Sequence, residues 1–206
     1  MLKYQFNILC KECSRKPVSG SEFGAMLILS PPMERLPFQA TQAGASYDRI
    51  SVLPVAVLLD NVRSLYNVGS FFRTADAAGV EKIYLGGITG RPPKRALSKT
   101  ALGAEESVPW EHAWDAAQVI EKLRGRGYEM AAAETTVHAV DLFDWVPRFP
   151  VCLVFGHEVD GIQPHLSAQC DVHVRIPMLG AKHSLNVATA GGVVIYELLR
   201  KYRLLC

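Results

Sequence analysis

The run Val55-Ala56-Val57-Leu58-Leu59 has an apolar side chain at every position. Side chains of a strand point alternately to opposite faces, so an unbroken apolar run must be covered on both sides. Val151-Cys152-Leu153-Val154-Phe155 repeats the pattern. Two such strands need helical layers above and below, and the intervening segments supply them. Apolar periodicity predicts helices over 67–78, 114–126 and 186–202, with further strands over 82–85, 128–133 and 172–176. Asn67 stands where a helix cap is expected, and Gly79 can close that helix. Ala117, Ile120 and Leu123 share one face of the second helix, which Gly127 is expected to end. Strands alternating with helices give an α/β fold: a mainly parallel sheet flanked by helices.

The 206 residues, 49% hydrophobic and 20% charged, can bury a core without disulfides or a structural metal. Residues 1–50 lack periodicity and read as an N-terminal arm or small accessory element, disordered if it packs against nothing; 51–206 read as the folded domain. Cys10 and Cys13 form a C-x-x-C pair with no second pair beside it. The five cysteines are therefore expected to be free thiols, and no metal is expected. The apolar runs are too short for a bilayer and no signal peptide is visible, so a soluble, cytoplasmic protein without a membrane partner is expected. A net charge of +2 permits nucleic-acid binding without arguing for it. The local cluster Arg91, Lys94, Arg95 and Lys99 is the candidate phosphate contact, although by charge alone it also fits a solvated loop.

Ligands of parallel sheets bind beyond the carboxyl ends of the strands, and three glycine-bearing polar segments fall there. The first runs from Asp60 through Asn67 and Gly69 to Arg73. The second is Gly156-His157-Glu158-Val159-Asp160-Gly161, and the third runs from Pro177 through Gly180 and Ser184 to Asn186. No G-x-G-x-x-G follows the first strand and no phosphate-binding G-x-x-x-x-G-K-[ST] occurs, which removes the main support for dinucleotide and nucleoside-triphosphatase readings. H-E-x-x-H is absent too.

Together these segments resemble the three motifs of the SpoU family, within the SPOUT methyltransferases. The matching residues are Asn67-Val68-Gly69…Arg73, Gly156-x-Glu158-x-x-Gly161 and Ile176-Pro177-Met178-x-Gly180-x-x-x-Ser184-Leu185-Asn186-Val187. The resemblance covers roughly residues 53–203. It implies a C-terminal trefoil knot, an exception to the rule against threaded chains. It also implies a homodimer and a bent S-adenosylmethionine held near Gly156, Gly161, Ile176, Met178, Gly180 and Leu185. The implied reaction is methylation of a ribose 2′-hydroxyl of tRNA or rRNA, with RNA as partner.

The resemblance makes Asn67, Arg73, Glu158, Ser184 and Asn186 the catalytic candidates. Arg73 is the residue it assigns to deprotonate the hydroxyl, entering from a second subunit. A guanidinium rarely gives up its proton, so stabilising the developing oxyanion is the alternative, with an RNA phosphate or Glu158 taking the proton. Asn67, Ser184 and Asn186 could each be simple helix caps, and a cap and a site residue can be the same atoms. Gly69, one turn before Arg73, is expected to leave room for substrate. His157 and His183 read as variable loop residues. Two rival functions remain open: a SPOUT methyltransferase acting on a base nitrogen, and a non-catalytic RNA-binding assembly factor of the same fold.

Overall fold

The computed structural model describes residues 50–206. The expectation for the N-terminal arm, and Cys10 and Cys13 with it, lies outside the described residues. Seven strands form one parallel sheet in the order β3-β2-β1-β6-β4-β7-β5. They are β1 (Leu53–Asp60), β2 (Val80–Gly86), β3 (Trp110–Ala113), β4 (Glu129–Ala133), β5 (Val140–Asp141), β6 (Val151–Phe155) and β7 (Val172–Arg175). The helices are α1 (Leu65–Ala78), α2 (Arg95–Ala101), α3 (Ala104–Ser107), α4 (Ala116–Arg124), α5 (Pro164–Ser167) and α6 (Val187–Arg203).

The unbroken apolar strands lie at the centre, as their composition requires. Alternation along β1 splits its side chains between two cores. Leu53, Val55, Val57 and Leu59 face one layer, where Phe71 and Phe72 of α1 and Val194, Ile195 and Leu198 of α6 pack. Ala56 and Leu58 face the other, against Val119, Ile120 and Leu123 of α4 and Leu166 of α5. The Phe71 and Phe155 rings stand 5.0 Å apart between α1 and β6, so the first helix is seated on the strand that carries the second motif.

Several local expectations are corrected. Ser64, not Asn67, caps α1: its side chain accepts from the Asn67 backbone N–H, which frees the Asn67 amide for other work. The amphipathic helix begins only at Ala116, capped by Asp115, and ends at Gly125 instead of Gly127. Trp114 is thereby left outside the helix. Strands β3 and β5 were not expected: Trp110-Glu111-His112-Ala113 is a half-buried sheet-edge strand of mixed polarity, and β5 is two residues long. Neither carries an apolar run. Gly69 does not make room for substrate. A Cβ there would come within 2.1 Å of the Thr100 hydroxyl and 2.3 Å of the Leu97 carbonyl, so Gly69 lets α2 lie against α1.

Gly191 and Gly192 sit in α6 with opposite surroundings. A Cβ at Gly191 would meet the Phe71 ring at 2.2 Å, whereas one at Gly192 meets nothing within 4 Å. Gly191→Ala should therefore lower stability through overpacking, by about 1–3 kcal/mol. Gly192→Ala should raise it by up to about 1 kcal/mol, as alanine does inside a helix. Urea denaturation of the two variants checks this, and equal shifts of one sign would contradict the α1–α6 packing.

Candidate active site

The carboxyl ends of β4, β6 and β7 are marked by Ala133, Phe155 and Val174, and a cavity of about 480 Å³ opens there. Its walls come from the second and third motif segments. Gly156, Glu158, Gly161, Ile176, Met178, Ser184, Leu185 and Asn186 all line it, together with His157, His183 and Glu134. The volume lies in the range of small-molecule and cofactor sites. Gly180 is exposed and is not among the lining residues.

The second segment is a tight turn: the backbones of His157 and Gly161 exchange both hydrogen bonds at 3.0 Å. Gly161 adopts φ +72°, a left-handed conformation that suits glycine. Gly156 is needed for a different reason, since its Cβ would fall 2.1 Å from the Gly161 carbonyl carbon. The turn leaves Glu158 projecting toward the start of α1.

There the Glu158 carboxylate accepts three hydrogen bonds. The backbone N–H groups of Ser64 and Arg63 donate at 3.0 and 3.2 Å, and the Asn67 side-chain amide donates at 3.0 Å. Asn67 Oδ1 in turn accepts from Asn186 Nδ2 at 3.2 Å. Asn186 also caps α6, its Oδ1 accepting from the N–H groups of Ala188 and Thr189. The side chain that caps α6 thus also bonds Asn67 and lines the cavity. A single polar chain, Glu158–Asn67–Asn186, ties the three motif segments together.

Burial of the Glu158 carboxyl acts to raise its pKa, but its hydrogen bonds, the Ser64 N–H foremost, outweigh that and hold it below the ordinary carboxylate value. The positive end of the α1 dipole favours the same charged form. Glu158 is therefore a fixed anion with its oxygens engaged, poorly suited to take a proton near neutral pH.

The third segment supplies backbone. No N–H or C=O of residues 177–185 pairs with another backbone group among the described residues. Such groups are obligatory hydrogen-bonding sites, and those facing the cavity are available to a ligand. The apolar side chains of Ile176, Leu185, Val187 and Val194 line the same space.

Arg73 lies elsewhere. It is exposed on α1 and lines a separate concavity of about 420 Å³ with Ser70, Thr74, Ala77, Lys99, Thr100 and Tyr196. Lys99 joins it there, and Arg91, Lys94 and Arg95 are exposed at the start of α2 and in the loop before it. His157 serves its own turn, its Nδ1 accepting from the N–H groups of Val159 and Asp160 at 3.2 and 3.1 Å.

Glu134 escaped the sequence reading, and Asp60, which opens the first candidate segment, was given no role in it. Glu134, just beyond β4, accepts from the Ile162 N–H at 3.2 Å and faces the cavity. Asp60, fully buried at the end of β1, accepts from the Gln163 backbone and side chain at 3.1 and 2.9 Å and so anchors the far side of the Gly161 turn. The signal for both was an acid directly after an apolar strand, where the carboxyl edge of the sheet begins.

Residues 54–196 match the model of the SpoU rRNA Methylase family. The 23S rRNA (guanosine-2′-O-)-methyltransferase RlmB of Pseudomonas aeruginosa is 34% identical over 158 residues, which cover 75% of this chain and 62% of that protein. An AdoMet-bound rRNA methyltransferase from Sinorhizobium meliloti superposes with a TM-score of 0.67 at 32% identity, over 71% of this chain and 56% of that one. The TrmH/SpoU tRNA modifying enzyme of A. aeolicus superposes with a TM-score of 0.67 at 28% identity, over 74% of this chain and 77% of that one. The chain spans about three fifths of the length of the curated relatives it matches.

The lowered pKa of Glu158 makes its contribution to stability depend on pH with a definite sign. A depressed folded-state pKa stabilises above the unfolded value, about 4.3, and that contribution fades as pH falls through the folded value. Glu158→Gln should therefore be less stable than the parent at neutral pH, and the gap should close below about pH 4. Urea denaturation across this range measures it; a gap independent of pH would contradict the charged hydrogen-bond acceptor.

Proposed function

Because the chain belongs to the SpoU rRNA methylase family, we propose that it is an S-adenosylmethionine-dependent RNA methyltransferase acting on a ribose 2′-hydroxyl of tRNA or rRNA. The observation that carries this reading is the cavity at the carboxyl edge of the sheet, where the Glu158–Asn67–Asn186 chain joins all three motif segments. The family assignment adds the chemistry. RlmB is named for guanosine 2′-O-methylation, and the S. meliloti structure holds AdoMet.

The residues present fit that cofactor. A cavity of about 480 Å³ suits it in size, and the apolar side chains of Ile176, Met178 and Leu185 can flank its adenine. The unpaired backbone groups of 177–185 can meet the polar edges, with the Gly156–Gly161 turn forming the opposite wall. When bound, S-adenosylmethionine supplies a methyl group already activated by the sulfonium charge. The protein has to align an oxygen with it and manage one proton, and alignment supplies much of the rate.

Glu158 acts as a positioning residue: it holds Asn67, which holds Asn186 and thereby the mouth of the cavity. Ser184 lines the same wall, and its hydroxyl is proposed to meet the ribose. Arg73 stabilises the negative charge that develops on the 2′-oxygen as its proton leaves. Its place on the outer side of α1 supports delivery from a second copy of the chain, so the working form is a homodimer. The strand order β6-β4-β7, with 176–186 returning past the Gly156–Gly161 turn to α6, supports a trefoil knot around the cofactor. Threading of this kind would pre-order the loops and reduce the entropy lost on binding. The donor's own activation makes a metal unnecessary to this chemistry. No described helix is long and apolar enough to cross a membrane, in keeping with an enzyme that meets RNA in the cytoplasm.

Arg73→Ala should lower turnover about 100-fold or more while calorimetry shows S-adenosylmethionine bound as before. Near-normal turnover would remove Arg73 from the reaction. Mass spectrometry of nuclease-digested RNA, taken with and without the protein, should find the new methyl on a ribose. A methyl on a base would transfer the chain to the base-modifying reading, and failure to bind S-adenosylmethionine would leave only an assembly factor.

A further inference from the structure

At the opposite end of the same sheet edge, Trp114 follows β3 with 76% of its surface exposed. Tryptophan is on average one of the most buried residues, and here it sits at the carboxyl ends of the strands, on the side where the cavity opens. Two neighbours hold it. The Arg91 guanidinium lies over the indole at 5.9 Å, and the His112 ring meets it edge-on at 4.7 Å. His112 is itself fixed: its Nε2 donates to the Gly87 carbonyl at 3.0 Å, so the loop after β2 and the end of β3 form one support.

Arg91 stands against this aromatic surface, and Lys94 and Arg95 follow it within four residues of the chain, all three exposed. None of them forms an ion pair with a carboxylate among the described residues. A flat, pre-ordered π surface bordered by cations matches one ligand chemistry: an unpaired nucleobase with its flanking phosphates. Stacking is tolerant of base identity, and the cations follow the backbone. Cations with no carboxylate partner favour a polyanionic ligand, which a nucleic-acid strand is. The distance fits as well. From β3 to β6 is three strand spacings, about 14 Å, along the edge where the cavity lies.

We propose that Trp114, braced by Arg91 and His112, is a stacking platform for an unpaired base of the RNA substrate, with Arg91, Lys94 and Arg95 holding the adjoining phosphates. The platform would dock a single-stranded or looped segment of the RNA a few nucleotides from the ribose presented at the cavity. It rests on the RNA-methyltransferase reading and adds to it a site outside the three motifs.

Fluorescence anisotropy of the full chain with a labelled single-stranded 12-nucleotide RNA of mixed sequence, and with its blunt duplex, tests this. Trp114→Ala should weaken single-strand binding about tenfold. Trp114→Phe, which keeps a ring, should stay within about threefold of the parent. Arg91→Ala should also reduce the slope of log affinity against log salt by about 0.7, the value for one phosphate contact on a single strand. Thermal melting and S-adenosylmethionine calorimetry should match the parent, because the ring is exposed and lies away from the cavity. Parent-like RNA binding by Trp114→Ala would overturn the platform while leaving the methyltransferase reading standing. An equal loss on the duplex would overturn it in favour of a backbone contact. A parent protein that binds neither RNA would defeat the RNA reading itself, and the platform with it.

Discussion

Everything at the site depends on one carboxylate. Glu158 receives the backbone N–H groups of Arg63 and Ser64 and the amide of Asn67, donors more than ninety residues away in sequence. A polar turn at the end of β6 would otherwise be free to lie in many positions. Three donors converging on two oxygens select one, and the positive end of α1 keeps the acceptor charged. Asn67, once held, holds Asn186, and Asn186 begins α6. The cavity between the second and third segments therefore has its shape because α1 is seated where it is.

The seat of α1 is a packing problem solved by the two-sided sheet. Phe71 contacts both Phe155 on β6 and the Gly191 backbone on α6, so one ring sets the first helix against the strand of the second motif and the helix of the third. Gly69, on another side of α1, admits α2 at a distance no side chain would allow. The core and the polar chain thus position the same three segments from below and from above. With its inner faces occupied, α1 leaves Arg73 directed outward, which is why a second copy of the chain enters the proposed chemistry.

Much of this was legible beforehand because the signals were local and strong. The apolar runs of β1 and β6 required a central, two-faced sheet, and the glycine-bearing segments after them marked its carboxyl edge as the site. Asn186 was readable as a cap from its position before a long apolar-periodic helix, while a second role for it came only from the motif resemblance. Strands β3 and β5 were not legible, because a half-buried edge strand needs no apolar run. Nor was the helix over 95–101, whose charges suggested only a loop. The cap of α1 was assigned one turn late for an equally local reason: Ser64 and Asn67 are both good caps, and their spacing alone does not choose between them.

The sequence by itself determined the layered parallel fold, the three loops that could carry chemistry and the residues within them that differ from ordinary turns. Periodicity and glycine placement act over a few residues, so they can be read without coordinates. Which of those residues touch was decided only by the tertiary structure. Glu158 and Asn67 are 91 positions apart, and Asn67 and Asn186 are 119 apart. Nothing in the spacing says that they share hydrogen bonds, that Arg73 faces away from them, or that Trp114 stands clear of its helix. Those relations arise from helix packing across the sheet, where a contact is set by the combined shape of elements far apart in the chain.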